Sequence, residues 1–174
     1  EILIDVGTLN LDSASFRQIW EESGHEVQGV ADLVLRTVRE RGKQHNPVTG
    51  SGGMLLGTVK KMGSDYPNAF GVRVGDKVAT LVSLSLTPLH LDEITQVHVG
   101  RDQVEVEGYA LLFPSSPLSL IPQDLPETLA LAVLDVCGAP AQTHRLVKPG
   151  MTVVIVGGGG KSGLLCSAVA REAL

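Results

Sequence analysis

The stretch "VVIVGGGGKSGLLCSAVA", Val153–Ala170, joins an apolar run, four consecutive glycines and a helix-forming segment. Two phosphate-binding loops share that grammar. The NTPase loop requires Gly, four residues, then Gly-Lys-Ser/Thr. Here Gly160-Lys161-Ser162 would put Ile155, inside the apolar run, where the first Gly belongs. That reading fails on spacing. The dinucleotide pattern Gly-x-Gly-x-x-Gly fits as Gly158, Gly160 and Gly163, after a strand and opening a helix. Gly158 then allows the tight turn, Gly160 the close approach of a pyrophosphate, and Gly163 the packing of helix on strand. The helix N-terminus adds free N–H groups and partial positive charge, and Lys161 and Ser162 fall on its first turn as further donors. The bland alternative is a glycine-rich turn with no ligand. The cofactor expectation is NAD, with NADP left open. The residue that chooses between them lies ~20 positions past the motif, beyond Leu174.

Working back from that motif, "KPGMTVVIV" reads as a turn and a short buried strand of the parallel type. The Pro-rich "SSPLSLIPQDLPETLA" joins it to what precedes, with Asp124 and Glu127 as a capping-box variant and Pro126 in the first turn of a helix. Everything earlier is β-rich. Glu1–Thr8 alternates apolar and polar residues, and β patterns run over Met54–Val82 and Ile94–Phe113. Two helices interrupt them. The first runs from an N-cap at Asp12 or Ser13 to a stop at Gly24. The second carries Val27, Val30, Val34 and Val38 on one face and Arg36, Arg39, Glu40 and Arg41 as a solvated charge run. "GKQHNPVTGSGG", Gly42–Gly53, is polar and turn-rich. The expected fold is a β-rich domain over 1–122, with a helical insert at about 17–41, and the beginning of a Rossmann-type α/β domain over 123–174. One strand cannot make a parallel sheet, so this second unit is expected to be incomplete.

Composition narrows the function classes. The 174 residues are 43% hydrophobic and 19% charged, an ordinary soluble balance. A net charge of −5 gives no reason to expect nucleic acid or anionic membrane as a partner. No window reaches the ~18 apolar residues of a membrane span. Two cysteines, Cys137 and Cys166, leave no disulfide framework and suggest a reducing compartment, hence a cytoplasmic protein. Glu1 is not an initiator Met and a strand already starts there, so a trimmed N-terminus without a signal peptide is expected.

Three stretches resemble the medium-chain dehydrogenase/reductase superfamily. "VGTLNLDSASF" (Val6–Phe16) resembles the first catalytic loop of its GroES-like domain, "GGMLLGTVKKMG" (Gly52–Gly63) its Gly-His-Glu segment, and "GVRVGDKVA" (Gly71–Ala79) its "VGDRV" strand. The resemblance implies a GroES-like catalytic domain followed by a truncated Rossmann domain. It also implies a homodimer or higher homo-oligomer. Where zinc members place Cys, His and Glu, this chain has Leu11, Gly53 and Met54. Alkyl, hydrogen and thioether cannot replace thiolate, imidazole and carboxylate on Zn²⁺, so no catalytic zinc is expected. Ser13 matches the superfamily's hydroxyl at the substrate.

Within the superfamily, "TLNLDSASF", "RGKQHNPVTGSGGMLLG", "LTPLHLDEI", "DLPETLALAVLDVCGAPAQTHRLVKPGMTV" and "GGGGKSGLLC" resemble the zinc-free L-erythro-3,5-diaminohexanoate dehydrogenases of anaerobic lysine fermentation. That likeness implies NAD-linked oxidative deamination of a small diamino acid to a 3-oxo-5-amino acid and ammonia. It also implies a fragment of a chain about twice as long. Amine oxidation is coherent without a metal, because the iminium product is already electrophilic. Two other readings stay open: a zinc-free NADPH-dependent quinone or enone reductase, and a binding module without turnover.

A base is needed to neutralise the amine. An imidazole side chain suits that task near neutral pH, so His45, just before the altered zinc loop, is the leading candidate; its alternative role is to anchor that loop. Thr49 joins Ser13 as a hydroxyl at the reacting end. Asn46 and Ser51 could orient substrate, or serve only the turn around Pro47 and Gly50. Glu93, with Asp92 and His90, could hold a substrate ammonium or form a solvated turn. Asp135, in the apolar "LALAVLDVCG", is costly to bury unless it serves a site or a hydrogen bond. Cys137 beside it reads as a small buried hydrophobe. Arg41 and Lys43 could receive a carboxylate or tether a helix end.

Overall fold

The computed structural model describes residues 1–173, and its scaffold is one antiparallel sheet of six strands. The strands are β1 (Ile2–Asn10), β2 (Met54–Met62), β3 (Lys77–Thr80), β4 (Leu89–His98), β5 (Gln103–Leu112) and β6 (Leu118–Leu120), in the order β4-β5-β1-β2-β3-β6. β1 is central, between β5 and β2. Its alternation sends Ile2, Ile4 and Val6 inward, and a bulge at Gly7 resets the register so that Leu9, not Thr8, is buried next.

The inward face packs against two helices. α1 (Ser13–Glu22) is capped by Asp12, whose carboxylate accepts from the Ser15 N–H at 3.0 Å. α2 (Val27–Arg41) buries Val30, Val34 and Val38 at helical spacing and lies against β4. It ends at Gly42, left-handed at φ 66°, whose N–H reaches the Val38 carbonyl at 2.8 Å. The opposite face is small. Met54, Leu56 and Ala79 are covered there by Leu131 and Leu134 of α3 (Glu127–Leu134). α4 (Gly138–Leu146) and α5 (Lys161–Ala173) follow and pack on each other.

Several expectations change. "VVIV" forms no strand: Val154 is 83% and Val156 96% exposed, and no described residue pairs with the run. A strand exists only with a ladder partner, so an apolar run alone does not make one. β4 begins at Leu89, five residues before the expected Ile94, so His90, Asp92 and Glu93 stand on a strand and not on a turn. Asp124 caps nothing; Pro126 occupies the N-cap of α3, with no side-chain cap bond. Asp135 is the C-cap of α3 rather than an interior residue, and a separate helix, α4, follows it. The helix after the glycine cluster starts at Lys161 and is described to Ala173; Leu174 lies outside the described residues.

Candidate functional site

The end of β1, the turn after Gly50, the end of α3 and the start of α5 converge. Asp12, Ser13, Ser51, Asp135, Gly160 and Lys161 line one open cleft of about 540 Å³, together with Ser162 and Gly163. An adjoining hollow of about 310 Å³ adds Gly53, Met54 and Cys137 to Ser51 and Asp135. Residues almost 150 positions apart are brought together by two folding facts. β1 delivers Ser13 into the first turn of α1, and α3, seated on the reverse face by Leu131, delivers Asp135.

The glycine turn is tightly built. The positive φ falls on Gly157, at 79°, not on Gly158. Gly160 N–H closes the turn on the Gly157 carbonyl at 3.2 Å, and the Gly160 carbonyl accepts the first helical bond from Leu164 at 2.9 Å. A Cβ at Gly163 would stand 2.5 Å from the Gly157 oxygen and 2.6 Å from the Gly158 Cα. Only glycine lets α5 start this close to its turn. Lys161 and Ser162 carry the free N–H groups of that first turn.

Asp135 dominates the electrostatics. Burial pushes its carboxyl above the ordinary value. The Lys161 ammonium pulls it down, Asp12 raises it, the Asn10 amide lowers it and Asp102 raises it again. On the opposite wall, Ser13 Oγ donates to Asp102 at 2.6 Å, joining the first turn of α1 to the residue before β5. Asp102 is itself left-handed, at φ 58°.

The three positions that hold zinc ligands in the resembling superfamily are occupied otherwise. Leu11 is fully buried in the main core and Met54 is buried in the seam under α3. A Cβ on Gly53 would fall 1.9 Å from the Asn10 carbonyl oxygen, and its φ is 81°. No imidazole can stand there. Among the described residues, no three His, Cys, Asp or Glu side chains group as a metal site.

Other expected residues lie elsewhere. His45 Nδ1 stands 3.3 Å from Arg41 Nη1, and with Asn46 it lines a separate cavity of about 200 Å³ between α1 and α2. Asn46 is buried and organises its loop: Nδ2 donates to Ser15 Oγ at 2.8 Å, and Oδ1 accepts from Val48 and Thr49 N–H. Thr49 Oγ1 accepts from Ser51 N–H at 3.2 Å. This turn sets the position of Ser51 in the cleft. Glu93 is exposed on the edge strand β4, opposite Glu107. His90 bonds Asp92 at 3.1 Å and stacks on Tyr109 across the ladder, with centroids 4.9 Å apart. Sequence reasoning missed Asn10, Asp12 as a cleft residue, Asp102 and Gln103. Only Asp12 carried a signal, as a helix cap; the others become neighbours through strand register alone.

The family model for the L-erythro-3,5-diaminohexanoate dehydrogenase N-terminal domain matches residues 1–122. The chain is 57% identical over 172 residues to an L-erythro-3,5-diaminohexanoate dehydrogenase of Acetoanaerobium sticklandii, covering 99% of this chain and 50% of that one. It is 58% identical over 167 residues to the enzyme of that name from Fusobacterium nucleatum subsp. nucleatum, covering 96% of this chain and 48% of the relative. The chain thus spans about half the length of these curated relatives. No described helix is long and apolar enough to cross a membrane. With its match running through the whole sheet and its identity continuing through α5, this chain belongs to the L-erythro-3,5-diaminohexanoate dehydrogenase N-terminal domain family.

Proposed function

We propose that the chain is the substrate-binding part, with the first phosphate-binding turn, of an NAD-linked dehydrogenase in anaerobic lysine degradation. It deaminates L-erythro-3,5-diaminohexanoate oxidatively to 5-amino-3-oxohexanoate and ammonia. The architecture is read as a GroES-like domain running into a Rossmann-type unit. The observation that carries this reading is the single cleft where Ser13, Ser51 and Asp135 meet the Gly160–Gly163 turn.

The turn fits a dinucleotide pyrophosphate. Gly163 lets α5 start close against the turn, and Lys161 and Ser162 add a cation and a hydroxyl to the free N–H groups there. A bound nicotinamide dinucleotide supplies the hydride acceptor. The chain's own groups handle protons and charge. Asp135 takes a proton from the C3 ammonium, so the amine lone pair can assist loss of hydride from C3. Asp135 passes that proton to solvent, and the iminium adds water. Asp135 then takes a water proton and returns it to the carbinolamine nitrogen, which leaves as ammonia and is protonated as the hydroxyl loses its proton to form the ketone. The balance is one ammonium substrate, one water and one oxidised dinucleotide giving ketone, NH₄⁺, reduced dinucleotide and H⁺. Asp135 suits this work because burial raises its carboxyl above the ordinary carboxylate value while Lys161 favours the ionised form. Ser13, bonded to Asp102, and Ser51 face the same space and orient the amine. His45 opens on the separate cavity beside α2, so the base role goes to Asp135.

The test is NADH formation and ammonia release by the full-length protein from 3,5-diaminohexanoate and NAD⁺, after metal chelation. Matched, chelator-resistant products support the reading. NADPH oxidation by enones with no deamination would replace it with a reductase, and neither activity nor dinucleotide affinity would leave a binding module.

A further inference from the structure

The cavity between α1 and α2 takes no part in the reaction derived above, yet it has the makings of a site. Gln44, on the loop after α2, lines it at 2% exposure, and its Oε1 has no hydrogen-bond partner. An enclosed carbonyl without a donor is unfavourable, and an apolar side chain of similar size would avoid it. Arg41, the last residue of α2, lines the same cavity. Its Nη1 donates to His45 Nδ1 at 3.3 Å. Among the described residues no carboxylate pairs with Arg41, whereas Arg36 has Glu22 at 3.7 Å. The cavity thus offers one unmatched acceptor and one unmatched cation. Its wall on α1 is fixed: buried Asn46 donates through Nδ2 to Gln18 Oε1 at 3.2 Å and to Ser15 Oγ at 2.8 Å. Ile19 and Leu33 add apolar surface.

We propose that this cavity binds a small neutral amino acid as its zwitterion, at a site separate from the reaction cleft. The ligand's carboxylate meets the Arg41 guanidinium, its ammonium donates to Gln44 Oε1, and its aliphatic side chain lies against Ile19 and Leu33. Charge selects this class. Arg36 and Arg41 are balanced by Glu22 and Glu40 around the cavity. A dianion such as phosphate would bring uncompensated negative charge beside those carboxylates, and a ligand of no net charge does not. A simple carboxylate would leave Gln44 Oε1 unmatched, and a simple amine would leave Arg41 so. Size agrees. A cavity of about 150 Å³ accepts benzene, so this one, at about 200 Å³, accepts roughly eight non-hydrogen atoms.

Isothermal titration of the full-length protein with L-valine reads binding without turnover, so its result is independent of the dehydrogenase reading. Saturable binding is expected. 3-Methylbutanoate and isobutylamine should each bind about tenfold more weakly or worse, because each leaves one partner unpaired. Arg41→Met should weaken L-valine by a similar factor. Gln44→Leu should weaken it too and, by removing the unmatched carbonyl, leave the ligand-free Tm equal or higher. Asp135→Asn, in the reaction cleft, should leave the affinity unchanged. If Gln44→Leu does not fold, Arg41→Met, at the exposed helix end, carries the test. No saturable heat with L-valine would mean a water-filled groove and overturn the proposal. So would an affinity that Arg41→Met leaves unmoved; its loss in Asp135→Asn would then place the ligand in the cleft. Equal affinity for 3-methylbutanoate or inorganic phosphate would show an anion site and overturn the zwitterion assignment.

Discussion

The sheet and the segment after Pro122 are built on different principles. The sheet closes over a continuous core from Ile2 to Leu118, with Ile4, Leu9, Leu55 and Leu112 fully enclosed. After Pro122, Ala130, Leu131, Pro140, Val147, Gly163 and Ala170 are the buried ones among the described residues, while Leu146, Val154, Val156 and Leu164 stand more than half exposed. The first region holds itself together; the second is held at one seam, where Leu131 meets Met54 and Leu56. The candidate site takes a wall from each. The Asp135 carboxylate and the glycine turn therefore belong to the less anchored part, and the Ser13 and Ser51 hydroxyls to the rigid one.

The contrast is sharpest in the core. Leu55→Ala should cost about 2–5 kcal/mol in urea unfolding, the range for deleting an enclosed leucine. Leu146→Ala should stay within about 0.5 kcal/mol, because nothing packs around it. Similar losses at both sites would break the division. Hydrogen exchange offers an independent view: the amides of Ile4 and Leu9 should exchange through the rarest openings, and those of Val154 and Val156 close to unprotected rates.

The same division explains what the sequence revealed. Elements with a local signal were legible: the Asp12 cap, Val30, Val34 and Val38 of α2, and the helix after the glycine cluster. Signals that depend on a distant partner misled. "VVIV" has the composition of a buried strand, but burial is a property of neighbours. The β4 start was masked by Pro88 and by the polar run at His90, Asp92 and Glu93, whose alternation becomes plain only beside β5. At the site, Ser13, Ser51, Asp135 and the glycine turn were found from residue type and resemblance. Asn10 and Gln103 carry no motif; they meet because β1 and β5 end in register.

Asp135 links site and stability, with a smaller effect than a core deletion. Its folded pKa is raised, so the native state binds more protons than the unfolded chain between the ordinary carboxylate value and the raised one. Stability from this group is fully present below that window and declines as pH rises through it. Asp135→Asn, neutral throughout, should flatten that decline and raise Tm at neutral pH relative to the parent, with no gain at acidic pH. A parent and variant that keep parallel Tm-against-pH curves would show the carboxyl to be fully compensated in the fold.

The smallest effect tests the joint between the two regions. Lys77 of β3 pairs with Glu127, the first residue of α3, across the junction of sheet and helix. The pair sits directly above the seam, and the Ile121 N–H bonds the Lys77 carbonyl at 3.0 Å beside it. It is the natural suspect for what fastens the second region. Both side chains are about half exposed, however, and water and salt screen such a pair to under about 1 kcal/mol. A double-mutant cycle with Lys77→Met and Glu127→Gln should return a coupling of that size, vanishing at high ionic strength. Leu131→Ala, by removing an enclosed side chain from the seam, should loosen α3 far more and raise exchange at Asp135 with it. If the ion pair proved the stronger of the two, the second region would be tethered by charge, and the cleft would open with salt. The buried leucine predicts that it does not.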